Sequence, residues 1–567
     1  MTFDYTERCT ASDCSDLKES TADNWPDVPF DTICKSGDDC DAESPSFFTR
    51  KRLTGINSFS WDAAANTYDA VDSWDLAQHF FDGGDLGDTS DQVLVLDSIK
   101  HTGKSGAAIA LPPVTFTYDK RPNRVDGTDD IVPLYRPRIR TLISETGAVT
   151  TVTLSDPECV RGDTPGEDDD HTSCYPVYWH INGAEEAGLD WFHKYRVLAV
   201  TSTDPTGKNA TTETDYTYAD PAWHYDENPL TPQAERTWSQ WRGYGRVTTV
   251  KGTDATKSKT VTLYMQGMDG DRVQGSDGKL DPTARKDVSV KALAVPGLTI
   301  ADQTDSEQYT GFTRQQVTYD GGQAIAVTVN DPWSKRTATQ HASYADTEAY
   351  FVRTAGTATS TYLTVKDSWR THTTSATFDS YGMKATEEDA GDVAKSGDET
   401  CTRTWYARNT AKGISDLVSR SRTVSRTCAT GEDQLDLPAK VADRGDVLSD
   451  KATVFETPPP PLGREPDAHL GDASWTGRAA ATATPAQGSA TPTWQTTAKT
   501  VHDTWAATTV TTRRQHHHHG LHTRLRRPLT MAITTNAATQ KTFTYYDPAR
   551  GNVIRSFDIN NKQTQYT

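Results

Sequence analysis

Threonine and valine alternate along much of this chain, with the two-residue period of a strand that has one dry and one wet face. The alternation runs through Ala148 to Leu154, Val247 to Val250 and Thr260 to Tyr264. The segment Val93 to Ile99 opens instead as a continuous apolar run, as expected of a strand covered on both faces. Helical periodicity is scarce, and Ala184 to Leu189 supports at most one short turn. Gly, Asn and Asp punctuate the strand segments at intervals that suit successive hairpins. The pattern predicts an all-β fold of successive antiparallel hairpins, with the β-rich region spanning residues 46–455.

Three other stretches depart from that pattern or sharpen it. Residues 1–45 are rich in Asp, Ser and Cys with little periodicity, and read as irregular. Pro458 to Pro461 favour a stiff extended segment, and 456–500 reads as a Pro/Ala/Thr-rich linker or excursion. Strand signals resume over 501–567. There an aromatic-Asp pair, a Gly-containing turn and alternating β-formers succeed one another, from Thr542 through Tyr546-Asp547 and Gly551 to Phe557-Asp558. Looser echoes occur at Tyr118-Asp119, at Tyr319-Asp320-Gly321-Gly322 and from Phe378-Asp379 to Gly382. A unit that recurs sets the architecture and points to scaffold or surface work.

The phrase around Tyr546-Asp547 and Phe557-Asp558 resembles the tyrosine-aspartate (YD) repeat of the Rhs family. The aromatic middle, from Asp190 to Tyr195 and Trp238 to Arg272, looks like the region before the repeats in secreted actinobacterial Rhs-type proteins. That region is in turn similar to the shell-forming B component of insecticidal toxin complexes. The resemblance covers the chain from about residue 45 onward, with a clean motif only in roughly the last 30 residues. It implies a curled YD-repeat sheet forming a partial shell, secreted or at the cell surface and without catalytic residues of its own. The implied partners are the rest of a longer Rhs-type chain or its toxin cargo. The family's self-cleaving core segment and toxin domain find no match here, so none of their residues transfers.

Composition agrees with thin layers of sheet. Hydrophobic residues make up only 35% of 567 residues, yet 14 Trp, 22 Tyr and 15 Phe argue against wholesale disorder. A net charge of −20 argues against nucleic-acid phosphates and anionic membranes as partners. No apolar run reaches the length of a membrane-spanning helix, and the first residues do not form a signal peptide. Both ends read as cut from something longer. The eight cysteines fall into near pairs, Cys9/Cys14, Cys34/Cys40, Cys159/Cys174 and Cys401/Cys428. They lack zinc spacing and suggest disulfides formed in an oxidising compartment.

Candidate chemistry is sparse. Trp191, Trp223, Trp238, Trp241 and Tyr244 form an aromatic-rich stretch that could stack on sugar rings of cell-surface glycans, or simply fill a thin β-layer. His193 and His224 with Asp190 and Asp226 can be written as acid-base pairs, but no nucleophile accompanies them. No esterase elbow, zinc-protease helix or phosphate loop occurs, so an enzyme is not expected. Asp82, Asp85, Asp88 and Asp91 suit a weak Ca2+ site, the one cofactor the chain suggests, and Glu167 to Asp170 reads as solvated. The basic tract Arg513 to Pro528, with His516 to His519, breaks the acidic pattern. It reads as a metal-binding tract, a solvated loop, or a local frame slip whose neighbouring frame would encode a threonine-rich strand.

Overall fold

The computed structural model describes residues 1–28, 36–37, 48–62, 65–84, 89, 91–125, 131–181, 184–252, 257–295, 298–342, 346–437, 445–455, 479–485, 494–502, 507–512, 519–521, 531–535, 540–547 and 552–566. Strands make up 59% and short helical turns 4%, so the expected all-β fold of antiparallel hairpins is the fold observed. The chain divides into two units, 1–59 with 70–350, and 60–69 with 351–567. The main division falls inside the 46–455 region.

In the first unit the strands of the main sheet pair antiparallel in chain order, with short two-stranded sheets inserted between some of them. Val93–Gly103 is followed by Val114–Pro122, Tyr135–Ile143, Val149–Leu154, Val197–Thr203 and Thr212–His224. Gln240–Lys251, Ser258–Tyr264, Thr313–Asp320 and Gln323–His341 continue the series. Alternation pays off where these last strands meet. Val261 lies opposite Val317, which lies opposite Val327, and all three are buried. Their neighbours Thr260, Thr318 and Ala326 fall on the other face, as a period of two requires. The N-terminus is less irregular than expected. Thr2–Glu7 is a strand paired with Lys51–Asp62, held by its backbone ladder and by Glu7 with Arg50 and Lys51.

The second unit repeats the same succession. Ser368–Phe378, Lys384–Asp392, Thr400–Asn409, Ile414–Val424 and Val447–Phe455 pair in order. Ala479–Pro485, Trp494–His502, Ala507–Thr512, His519–Leu521 and Met531–Thr535 extend it. Lys541–Tyr546, Val553–Phe557 and Gln563–Gln565 close the series. Part of the stretch read as linker is therefore sheet, since an Ala/Thr strand can be held by its ladder of backbone bonds. Pro458 to Pro461 lie outside the described residues, as does the His tract apart from His519–Leu521.

The aromatic-Asp phrase has a definite structure. Asp379 accepts the amides of Tyr381 (2.8 Å) and Met383 (3.1 Å) on Oδ1. Its own amide donates to the Met383 carbonyl, and Gly382 donates to the Asp379 carbonyl. Asp558 repeats every one of these bonds with Asn560, Asn561 and Lys562. The third residue after the Asp has a left-handed backbone in both, φ +68° at Gly382 and +62° at Asn561. Ser144 builds the same turn with its hydroxyl, closing on Ala148 with Gly147 at φ +85°. The short side-chain acceptor stands in for a backbone carbonyl, and only Gly or Asn takes the left-handed position cheaply. At Tyr319-Asp320 the loop is tighter: Asp320 pairs with Gln323 across Gly321 and Gly322.

Two of the expected disulfides anchor loops, Cys159–Cys174 in the first unit and Cys401–Cys428 in the second, with Cα separations of 6.2 and 5.0 Å. Cys9–Cys14 is a third, and Cys34 and Cys40 lie outside the described residues. Beside the apolar cluster of Cys401, Val424 and Leu435, the second unit carries a set of buried charges. Arg422, 4% exposed, donates to Asp450 (2.7 Å) and Glu432 (2.6 Å). Arg420 also clasps Asp450, and Arg403 the other oxygen of Glu432. Each buried charge is thus matched, which offsets the cost of taking it out of water.

Candidate ligand cleft

The aromatic stretch of the first unit is assembled from a small hairpin and the sheet beside it. Gly188–His193 pairs with Cys174–Trp179 as a separate two-stranded sheet, His193 opposite Cys174 and Asp190 opposite Val177. Backbone bonds tie this hairpin down: Val125 donates to the Trp191 carbonyl, His193 to that of Asn123, and Lys194 to that of Ser173. The acidic stretch 167–170, expected to be solvated, is part of the same fastening. Asp168 Oδ2 accepts the Gln274 amide (2.8 Å), its carbonyl accepts Lys286 (2.8 Å), and Glu167 accepts the Thr237 hydroxyl. Carboxylates here replace apolar contacts as the glue between loops.

Five aromatic residues were nominated for stacking on sugars. Trp223 and Trp238 are 4% and 3% exposed and share a core with Tyr225. Trp223 stacks on Tyr175 (centroids 4.8 Å) and tilts against Trp241 (4.6 Å), and Trp241 meets Tyr244 edge-on (4.9 Å). The Tyr244 hydroxyl hydrogen-bonds with that of Ser173 (2.9 Å), while Trp191 packs against the Cys159–Cys174 disulfide. These faces are occupied mainly by one another, the arrangement in which aromatic rings gain most beyond area burial.

The nominated acid-base pairs do not form. Asp190 accepts from buried Arg124 (2.5 Å) and from the Trp179 indole (3.3 Å). Asp226 pins its own loop through Asn228 and Thr231. His224 faces Asp271 (3.4 Å), which also meets Lys286 (3.0 Å) and accepts the Tyr225 amide. Asp305 accepts the amides of Gln266 and Met268, and burial raises its carboxyl above the usual range. Of the calcium candidates, Asp85 and Asp88 lie outside the described residues, and Asp82 accepts the Gly84 amide. Among the described residues, no three His, Cys, Asp or Glu stand together as a metal would need.

Beside the aromatic core lies a cleft of about 390 Å³ that sequence reasoning did not single out. Its walls come from six separate stretches of the chain. Asn123 follows Val114–Pro122, Arg138 lies in Tyr135–Ile143, Tyr175 is the second residue of the small hairpin and His193 ends it. Lys194 and Tyr195 follow directly, and Trp223, Ser239 and Trp241 complete the floor. Arg138 donates to Asn123 Oδ1 (3.0 Å) and lies over Tyr195 (5.9 Å). Lys194 Nζ sits 5.0 Å over the Trp241 ring. Burial and the nearby Arg138 charge push the Lys194 ammonium below its ordinary range, and burial likewise lowers His193. His193 is 6% exposed, and its Nδ1 has no hydrogen-bond partner. His193-Lys194-Tyr195, Trp223 and Trp241 lie in the aromatic stretch legible in the sequence, whereas Asn123, Arg138, Tyr175 and Ser239 join them only through the fold.

No protein-family profile matches the chain, and no curated protein sequence does. Among solved structures it is similar to the crystal structure of TcdB2-TccC3-TEV, at 11% identity and a TM-score of 0.45 over 87% of this chain. It is similar also to a Photorhabdus luminescens Tc holotoxin pore carrying a TccC3 variant, at 11% identity and a TM-score of 0.46 over 91% of this chain. The chain spans 28% and 30% of the length of those two chains.

Proposed function

We propose that the chain is a non-enzymatic β-scaffold segment of a secreted Rhs-type, YD-repeat protein. It forms part of a curled shell that encloses or presents a toxin or adhesive module lying outside this chain. The observation that carries the reading is the aromatic-Asp turn, which is bonded identically at Asp379 and Asp558 and joins strands that pair in chain order. Such a plan adds strands without limit, each covering the edge of the last, and right-handed twist then curls the sheet. Three disulfides fit an extracellular location. The buried carboxylates fit a scaffold as well, since arginines, lysines and backbone amides engage them. Negative-stain electron microscopy of the purified chain tests the proposal. Curved or hollow walls are expected, and compact solid particles would overturn it.

A further inference from the structure

The cleft beside the aromatic core holds more unused donors than a structural pocket needs. In a chain of net charge −20, Arg138 and Lys194 both line it without a carboxylate partner among the described residues. Elsewhere in the same unit Arg124 is matched by Asp190 and Lys286 by Asp271, and half-buried Arg136 is held by the Asp91 and Tyr135 carbonyls. The polar groups around these two cations are also unspent. Nδ1 of His193 has no partner, and neither the Tyr175 hydroxyl nor that of Ser239 has a hydrogen bond among the described residues. Of these three, His193 Nδ1 is buried, and a buried polar atom left unpaired costs free energy that a ligand would recover. Two adjacent cations left unmatched cost more, through mutual repulsion.

We infer that this cleft binds a sugar ring carrying a carboxylate, a hexuronate or its equivalent, with Arg138 and Lys194 on the carboxylate. A guanidinium offers two parallel donors to a carboxylate, and the ammonium adds a point charge. The cleft's volume is of the size that holds a small ring rather than a lone inorganic anion. Ser239, Tyr175 and His193 are of the types that hydrogen-bond ring hydroxyls. Trp223 and Trp241 supply packed walls, not open stacking platforms, since their faces are largely taken. Charge and hydrogen bonding, not ring stacking, therefore carry the selectivity. The carboxylated ring could be a free sugar acid or one unit of an acidic polysaccharide, and the chemistry is shared.

Isothermal titration of the full chain with D-galacturonate, trigalacturonate and D-galactose tests this. Saturable galacturonate binding is expected, with galactose at least about tenfold weaker. Rising sodium chloride should weaken galacturonate binding to the unaltered protein, because the contact is ionic. Arg138→Gln and Lys194→Gln, each checked for an unchanged circular dichroism spectrum, should each lower affinity about tenfold or more. Tighter binding of the trimer assigns the site to a polysaccharide, and equal binding assigns it to the free sugar acid. Absence of galacturonate binding, equal binding of galactose, or insensitivity to salt would each overturn the inference.

Discussion

Asp170 is 6% exposed inside the loop closed by Cys159 and Cys174, where its Oδ1 accepts the amide and the hydroxyl of Thr172, both at 2.7 Å. Its other oxygen is buried without a partner. Burial outweighs those two bonds and pushes the carboxyl up to about 6. The folded state therefore holds this proton more tightly than the unfolded chain, whose ordinary value is 3.8. Between pH 4 and pH 6 the unfolded state ionises first, so this group's contribution to stability falls as pH rises. The full loss is on the order of 3 kcal/mol, reached above pH 6. Asp170→Asn should remove that slope. Urea unfolding of the two proteins at pH 4.5 and pH 7 checks it: the variant should gain on the parent as pH rises, and a constant difference would sink the argument. Nothing in the sequence marked Asp170 out from its neighbours in the acidic run Glu167 to Asp170. Four adjacent carboxyls look solvated until Gln274, Lys286 and Thr237 arrive from more than sixty residues away.

At the scale of elements the sequence was much more legible, because a turn is a local object. The aromatic-Asp phrase marked the loops at Asp320, Asp379 and Asp558, and each joins successive strands. The Ser144 variant was missed, since its hydroxyl does the work of a carboxylate without the aromatic-Asp signature. Gly382 and Gly147 occupy the same left-handed place in their turns, but their surroundings differ. A Cβ at Gly382 would come within 2.7 Å of the Phe351 ring, whereas one at Gly147 meets nothing within 4 Å. Gly147→Ala should cost about 1 kcal/mol from the backbone alone. Gly382→Ala adds overpacking and should cost roughly 2–4 kcal/mol. Denaturant unfolding of the two variants checks the order, and equal losses would show that Phe351 yields freely. The Ala/Thr strand Ala479–Pro485 was misread as linker because its side chains carry little packing signal; the pairing with Val447–Phe455 is a backbone matter.

For the whole molecule, strand class could be read from alternation, but not the division at Tyr350 and Phe351, since the same Thr/Val rhythm runs through both sides. Each unit carries its own cross-linked loop. The Cys159–Cys174 and Cys401–Cys428 loops span 15 and 27 residues, so each cross-link should contribute about 3 kcal/mol. Paired Cys→Ser variants at 159/174 and at 401/428, followed by hydrogen exchange, should each loosen amides of their own unit. Loosening of neither unit would show that the ladders alone carry the stability.

The charges around Arg422 have a consequence for how these strands find their places. Thr402 lies opposite Thr423, and a slide by two residues would put it opposite Ser421 or Ser425, still hydroxyl to hydroxyl. A fabric of threonines is nearly indifferent to such a slide. The charges are not indifferent. Arg403 and Arg422 are direct cross-strand neighbours held by one carboxylate, Glu432, and a slide of two residues would pull that clasp apart. Threonine supplies cloth that could be sewn at several offsets, and the ion pairs are the notches that allow one.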